Sequence, residues 1–169
     1  IFISVFLSST VAALLFISGC ATMHNPATER NEFIFINSET EVALGKSVIP
    51  ELTKKHPVCD DQFLQERAGS IGSRLAAISD RKDIDYKFSV LEDKELNAVT
   101  LPGGFIYINK GLIKILNDDE LAYVLAYETA HVTARHIAKK LQANMGYQLI
   151  LGIAFASLGN SAGENAADI

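Results

Sequence analysis

The chain has 169 residues, 49% apolar and 21% charged, with 15 basic against 20 acidic side chains and a net charge of −5. That length suits one domain with a real core, and the mild acidity without a basic stripe argues against a nucleic-acid binder. Two cysteines are too few for a disulfide framework or a four-thiolate zinc module, and no stretch is repetitive or biased enough for a solenoid, linker or disordered tail.

No charged residue occurs before Glu29. Ile1 to Ile17 is an apolar run loosened by Ser4, Ser8, Ser9 and Thr10. Its length stands between the roughly 7–15 residues of a signal h-region and the roughly 20 of a membrane-spanning helix. The tetrapeptide Ile17-Ser18-Gly19-Cys20 resembles the bacterial lipobox, in which small residues admit a peptidase to the backbone and the thiol receives lipid. The expectation is a lipoprotein signal over residues 1–19, acylation at Cys20, an anchor segment over 20–37 and a domain over 38–169. An uncleaved anchor is the alternative. The initial Ile1 and the missing basic n-region imply a chain that is a fragment at its start. Ala21, where Asp would favour inner-membrane retention, points to the outer membrane facing the periplasm. With Cys20 acylated, Cys59 is left unpaired and reads as a packed or surface thiol, its thiolate disfavoured by Asp60 and Asp61.

Further along, Ser38-Glu39-Thr40-Glu41 reads as a capping box opening a helix. Val42, Leu44, Val48, Ile49 and Leu52 are its apolar positions, and Lys54-Lys55-His56-Pro57 ends it. A second helix is expected from about Asp60 to Ile78, with Phe63, Leu64, Ile71, Leu75 and Ile78 inward. Asp83 to Leu91 alternates with period 2, as a half-buried strand does. Asn97 to Leu101 is a second extended piece, Pro102-Gly103-Gly104 turns it, and Phe105 to Ile108 is a third. Gly111 to Leu116 is a short helix. The longest helix begins at Asn117, boxed by Glu120, and runs to about Asn144. Leu149 to Leu158 is an apolar decade too short to span a bilayer. Helices, then strands, then helices make the class α+β.

One stretch carries chemistry. The zinc-protease signature H-E-x-x-H sets two imidazoles about 40° apart around a helix, so that both reach one ion while the Glu addresses its bound water. Here Glu128 and His131 occupy the second and last positions, and Tyr127 stands where the first His belongs. E-x-x-H alone is a weak signal, since Glu and His at that spacing are common solvated neighbours. A phenol must also lose its proton before it binds metal well, and its oxygen lies farther from the backbone than an imidazole nitrogen.

The run Asn97 to Ile113, with the pattern N-A-x-x-x-P-G-G-x-I, followed by G-L-I, resembles a strand-hairpin element of the CAAX-prenyl-protease-like zinc metallopeptidases (the HtpX, Oma, BepA and LoiP group). Leu121 to His136 resembles the same family's L-A-x-V-L-[AG]-H-E-x-[AG]-H-V-x-x-R-H in every marked position except Tyr127. Ser38 to Pro50 and Arg67 to Val90 extend the resemblance, which reaches to about Leu158. It implies a mainly helical, zincin-like α+β domain with a small sheet or hairpin next to the E-x-x-H helix. Carried over by position, Glu128 matches the general acid/base and His131 a zinc ligand. His136 matches a trailing histidine expected to support the site rather than to ligate, because five residues carry it past the ion-facing side. Arg135 is assigned no chemistry. Asn97, Pro102, Gly103 and Gly104 match the edge that pairs with an extended substrate, as in β-augmentation; a plain core hairpin with glycines at positive φ is the alternative. The family takes a third ligand from an E-x-x-x-D motif. Glu164 has that spacing to Asp168 but follows a Gly/Ser-rich turn, so the preferred reading of this stretch is a loop, with the ligand beyond Ile169 and Glu164 as the alternative. His24 and His56 read as surface residues.

The resemblance therefore implies a zinc-dependent metalloendopeptidase, lipid-anchored in the bacterial periplasm, that hydrolyses peptide bonds of misfolded envelope polypeptides, with one zinc per chain. Tyr127 raises an alternative: a pseudoprotease that keeps a peptide-binding, chaperone-like groove and binds zinc weakly. A lipoprotein adaptor with an accidental E-x-x-H is a third reading, disfavoured by the hairpin motif. No pattern specifies an oligomeric state.

Overall fold

The computed structural model describes residues 22–25, in their backbone, and 29–148. Two short strands, β1 (Thr22–Asn25) and β2 (Arg30–Phe33), form an antiparallel hairpin. Helix α1 (Ser38–Lys55) follows. Its cap is Asn37, whose side chain accepts from the Thr40 amide at 2.8 Å. The capping box expected on Ser38 and Glu41 does not form, because both side chains turn inward to arginines. The helix buries Glu41 and Gly45, while Leu44 and Val48 are exposed, against expectation. The cause is the missing Cβ of Gly45. A Cβ there would stand 2.0 Å from the Pro102 carbonyl oxygen, so helix backbone lies directly on the Pro102 turn.

Helix α2 (Gln62–Ile78) is capped by Asp61, whose side chain accepts from the Leu64 amide. Leu64, Ala68, Ile71 and Gly72 form its buried stripe, at the i, i+4, i+7 spacing of one helical face. Phe63 and Ile78, expected inward, are 71% and 80% exposed; Phe63 lies off the stripe and Ile78 is the last helical residue. Strand β3 (Lys87–Leu91) starts later than the alternation from Asp83 implied. Its partner is the reason: β5 (Phe105–Asn109) begins opposite Lys87, and the Lys87 amide donates to the Gly104 carbonyl at the edge of the turn. Strand β4 (Ala98–Leu101) pairs antiparallel with β5, β3 pairs parallel with it, and the order is β3-β5-β4.

Helices α3 (Lys110–Ile115) and α4 (Asp118–Thr133) come next. Asn117 and Glu120 form the expected reciprocal box at the start of α4. The helix does not continue to Asn144. It ends at Thr133, Arg135 takes φ +54°, and a separate helix, α5, spans 136–148. Leu64, Ala68 and Ile71 of α2, Val90, Ile106 and Ile108 of the sheet, and Ile113, Leu121, Leu125 and Val132 make one apolar core, so α4 is pinned by one face and shows the other. No helix among the described residues is long and apolar enough to cross a membrane.

Candidate active site

The buried stripe of α4 is Leu121, Leu125, Thr129 and Val132, and this fixes its phase. Tyr127 is 57% exposed, and Glu128 and His131 lie half-buried on the same side. The Thr100 hydroxyl donates to Glu128 Oε2 at 2.6 Å, which ties the carboxylate to β4. Thr100 was not singled out from the sequence. The alternation of a strand, which sets Ala98 and Thr100 on one face, was the signal that could have found it.

The Tyr127 ring meets the His131 ring edge-on, centroids 4.6 Å apart. On the other side of His131 stands His136, with the two Nδ1 atoms 2.7 Å apart. A straight helix would have carried His136 past this side; the break at Arg135 brings it back. Partial burial, and after it the neighbouring His131 and Lys139, hold the His136 imidazole below its ordinary pKa.

The break has an ionic cause. Arg135 is buried and salt-bridged rather than solvated: its Nε donates to Glu41 Oε1 at 2.7 Å and a terminal nitrogen donates to Ser38 Oγ at 3.0 Å. Arg81, also buried, donates to both oxygens of Glu41 at 2.9 and 3.1 Å. Ser38 in turn donates to Asp83. Burial alone would raise the Asp83 carboxyl, but the Ser38 hydrogen bond and the Arg81 charge hold it below the ordinary carboxylate value. Neither Glu41 nor Arg81 was read as a site-bearing residue.

The hairpin residues fall in two groups. Asn97 directly precedes the outer strand, its carbonyl accepting from the Asn109 amide at 2.9 Å. By the alternation of an antiparallel ladder, the main-chain groups of Ala98 and Thr100 then point away from β5, and within the described residues β4 is an edge. Pro102 sits against Gly45, and Gly103 (φ +79°) and Gly104 (φ +89°) are buried, a Cβ on Gly103 coming within 2.5 Å of Val42 Cα. Cys20 and Glu164 lie outside the described residues.

Cys59 is buried, and its thiol is pushed up first by burial, and also by Glu92. The adjacent aspartates are not the cause; the backbone of Asp61 acts the other way. Cys59, Asp60 and Glu92 form the one group of three His, Cys, Asp or Glu ligand atoms close enough for a metal among the described residues, and Lys110 already pairs with Glu92. His56 is half-exposed, its Nδ1 2.5 Å from Asp93. At the end of α4 and the start of α5 the donors are two adjoining imidazoles, His131 and His136, and the phenol of Tyr127. Imidazole suits zinc and its neighbours in the first transition row, so the chemistry of this set fits such a metal, with one nitrogen fewer on the E-x-x-H turn than the signature supplies.

Comparison with known proteins agrees with this geometry. Residues 63–168 match Peptidase family M48. The chain is similar to the mitochondrial metalloendopeptidase OMA1 of Schizosaccharomyces pombe, 38% identical over 140 residues, which are 79% of this chain and 41% of the relative. It is also similar to the OMA1 metalloendopeptidase of Saccharomyces cerevisiae, 30% identical over 159 residues, 82% of the chain and 46% of the relative. A beta-barrel assembly-enhancing protease of Escherichia coli is 28% identical over 103 residues, 60% of the chain and 21% of that protein. The chain thus spans between about a fifth and a half of the length of these relatives. A helix with Glu and His at the right spacing, an edge strand hydrogen-bonded to that Glu, and a family match across both place the chain in Peptidase family M48.

Proposed function

We propose that the chain carries the active-site region of a zinc-dependent metalloendopeptidase of the bacterial envelope, lipid-anchored through Cys20 at the periplasmic face of the outer membrane, acting on misfolded envelope polypeptides. The observation that carries the reading is the 2.6 Å bond from Thr100 to Glu128. It joins a carboxylate able to take a proton to a strand whose free edge can pair with an extended peptide. Zinc held by His131 with its partners, Glu164 among the candidates, would polarise the peptide carbonyl and make water a nucleophile near neutral pH. The protein's own part is to hold Glu128 beside the peptide, to keep the edge of Asn97 and Ala98 to Leu101 open, and to brace it from behind with Pro102, Gly103 and Gly104.

Tyr127 supports a second reading, a peptide-binding pseudoprotease. Casein cleavage by the whole gene product separates the two. The parent is expected to cleave poorly or not at all, Tyr127→His to gain zinc-dependent cleavage, and Glu128→Gln in that revertant to abolish cleavage while sparing the metal. A revertant that binds zinc and stays inert establishes the pseudoprotease; a Tyr127 parent that cuts well makes the phenol a working ligand.

A further inference from the structure

We propose that His131 and His136 together form a two-imidazole site for a divalent transition metal, so that this chain replaces the nitrogen lost at Tyr127 with one from beyond the end of α4. Their Nδ1 atoms face each other at 2.7 Å. Two nitrogens on one tetrahedral zinc, at about 2.0–2.1 Å from it, stand about 3.3 Å apart, so a small parting of the rings admits an ion. Both rings lie at the surface side of the helix end, open to metal and solvent.

The pairing is imposed by the fold. Positive φ is unfavourable for a residue with a Cβ, and Arg135 is held there by its bonds to Glu41 and Ser38. That turn is what returns His136 to His131 instead of a full helical step beyond it. Arg135 is therefore a positioning residue for His136. Tyr127, edge-on to the His131 ring, limits where that ring can swing.

The inference rests on the metallopeptidase reading for the choice of metal, and its test measures binding rather than cleavage. Co2+ is titrated into the parent chain, His131→Ala, His136→Ala and His136→Gln, with visible absorption as the readout and Zn2+ as competitor; circular dichroism verifies each fold. Replacing a group that merely orients a ligand costs about 10–100-fold in affinity, so loss of either imidazole is expected to weaken binding at least about tenfold. His136→Gln guards against an artefact of the smaller side chain and should behave like His136→Ala. Parent-like affinity in both His136 variants, with binding lost in His131→Ala, overturns the proposal and leaves the family-type site standing. Equal affinity in all four proteins overturns both.

Discussion

At the scale of single residues, one acid organises the ground on which the site stands. Glu41 is 3% exposed and accepts hydrogen bonds from two buried guanidinium groups. Removing one member of a buried ionic group leaves uncompensated charge and costs about 3–5 kcal/mol. Glu41→Ala removes the carboxylate shared by two buried arginines, of which Arg81 keeps only the more exposed Asp83 as an anionic partner, so chemical denaturation is expected to show a loss of about that size. Glu41→Gln, which still accepts hydrogen bonds, should lose less. A loss below about 1 kcal/mol for the alanine variant would mean that water replaces the carboxylate and that the cluster is not sealed. Nothing in the local sequence announced this role: the spacing of Ser38 and Glu41 matched a capping box, while the arginines that claim Glu41 lie 40 and 94 residues away.

At the scale of elements, α1 and the hairpin turn approach through missing atoms. Alanine is better than glycine in a helix by about 1 kcal/mol, and Gly69, where a Cβ would meet nothing within 4 Å, should gain that on Gly69→Ala. Gly45→Ala should go the other way. Its Cβ would stand 2.0 Å from a backbone oxygen, and forcing a close-packed contact apart costs about 1–3 kcal/mol. Thermal melts of the two variants are therefore expected to move in opposite directions; parallel shifts would mean that α1 slides freely. The same contrast explains what could be read in advance. The box of Asn117 and Glu120 and the turn of Pro102 to Gly104 are set by neighbours within a few residues, and both were legible. The start of β3 depends on β5, with which it pairs in parallel. The end of α4 depends on Glu41. Each of these boundaries is decided by a distant partner, so local periodicity placed it wrongly. At the site, Glu128 and His131 stood out as candidates through the E-x-x-H spacing together with the family resemblance, whereas Thr100 became visible only when the strand was laid against the helix.

At the scale of the whole molecule, the lipobox-like Ile17-Ser18-Gly19-Cys20 bears on where the protein works. If Cys20 is acylated, cells fed a palmitate analogue should label the parent and not Cys20→Ala, and the labelled protein should sediment with membranes. A single acyl chain holds a protein only marginally, so firm sedimentation would mean more than one chain at that cysteine. Equal label in both proteins ends the lipoprotein reading.

The buried acid has a further consequence, for where the domain can be cut. The stretch that matches Peptidase family M48 starts at residue 63, after the whole of α1. Arg81 and Arg135 lie inside that stretch, and the carboxylate that neutralises them lies outside it. A polypeptide trimmed to the matched stretch would keep Asp83 beside Arg81 but lose the one carboxylate that bridges both buried guanidinium groups. The autonomous unit of this protein is therefore expected to begin no later than Asn37, the residue that caps α1, the helix that carries Glu41.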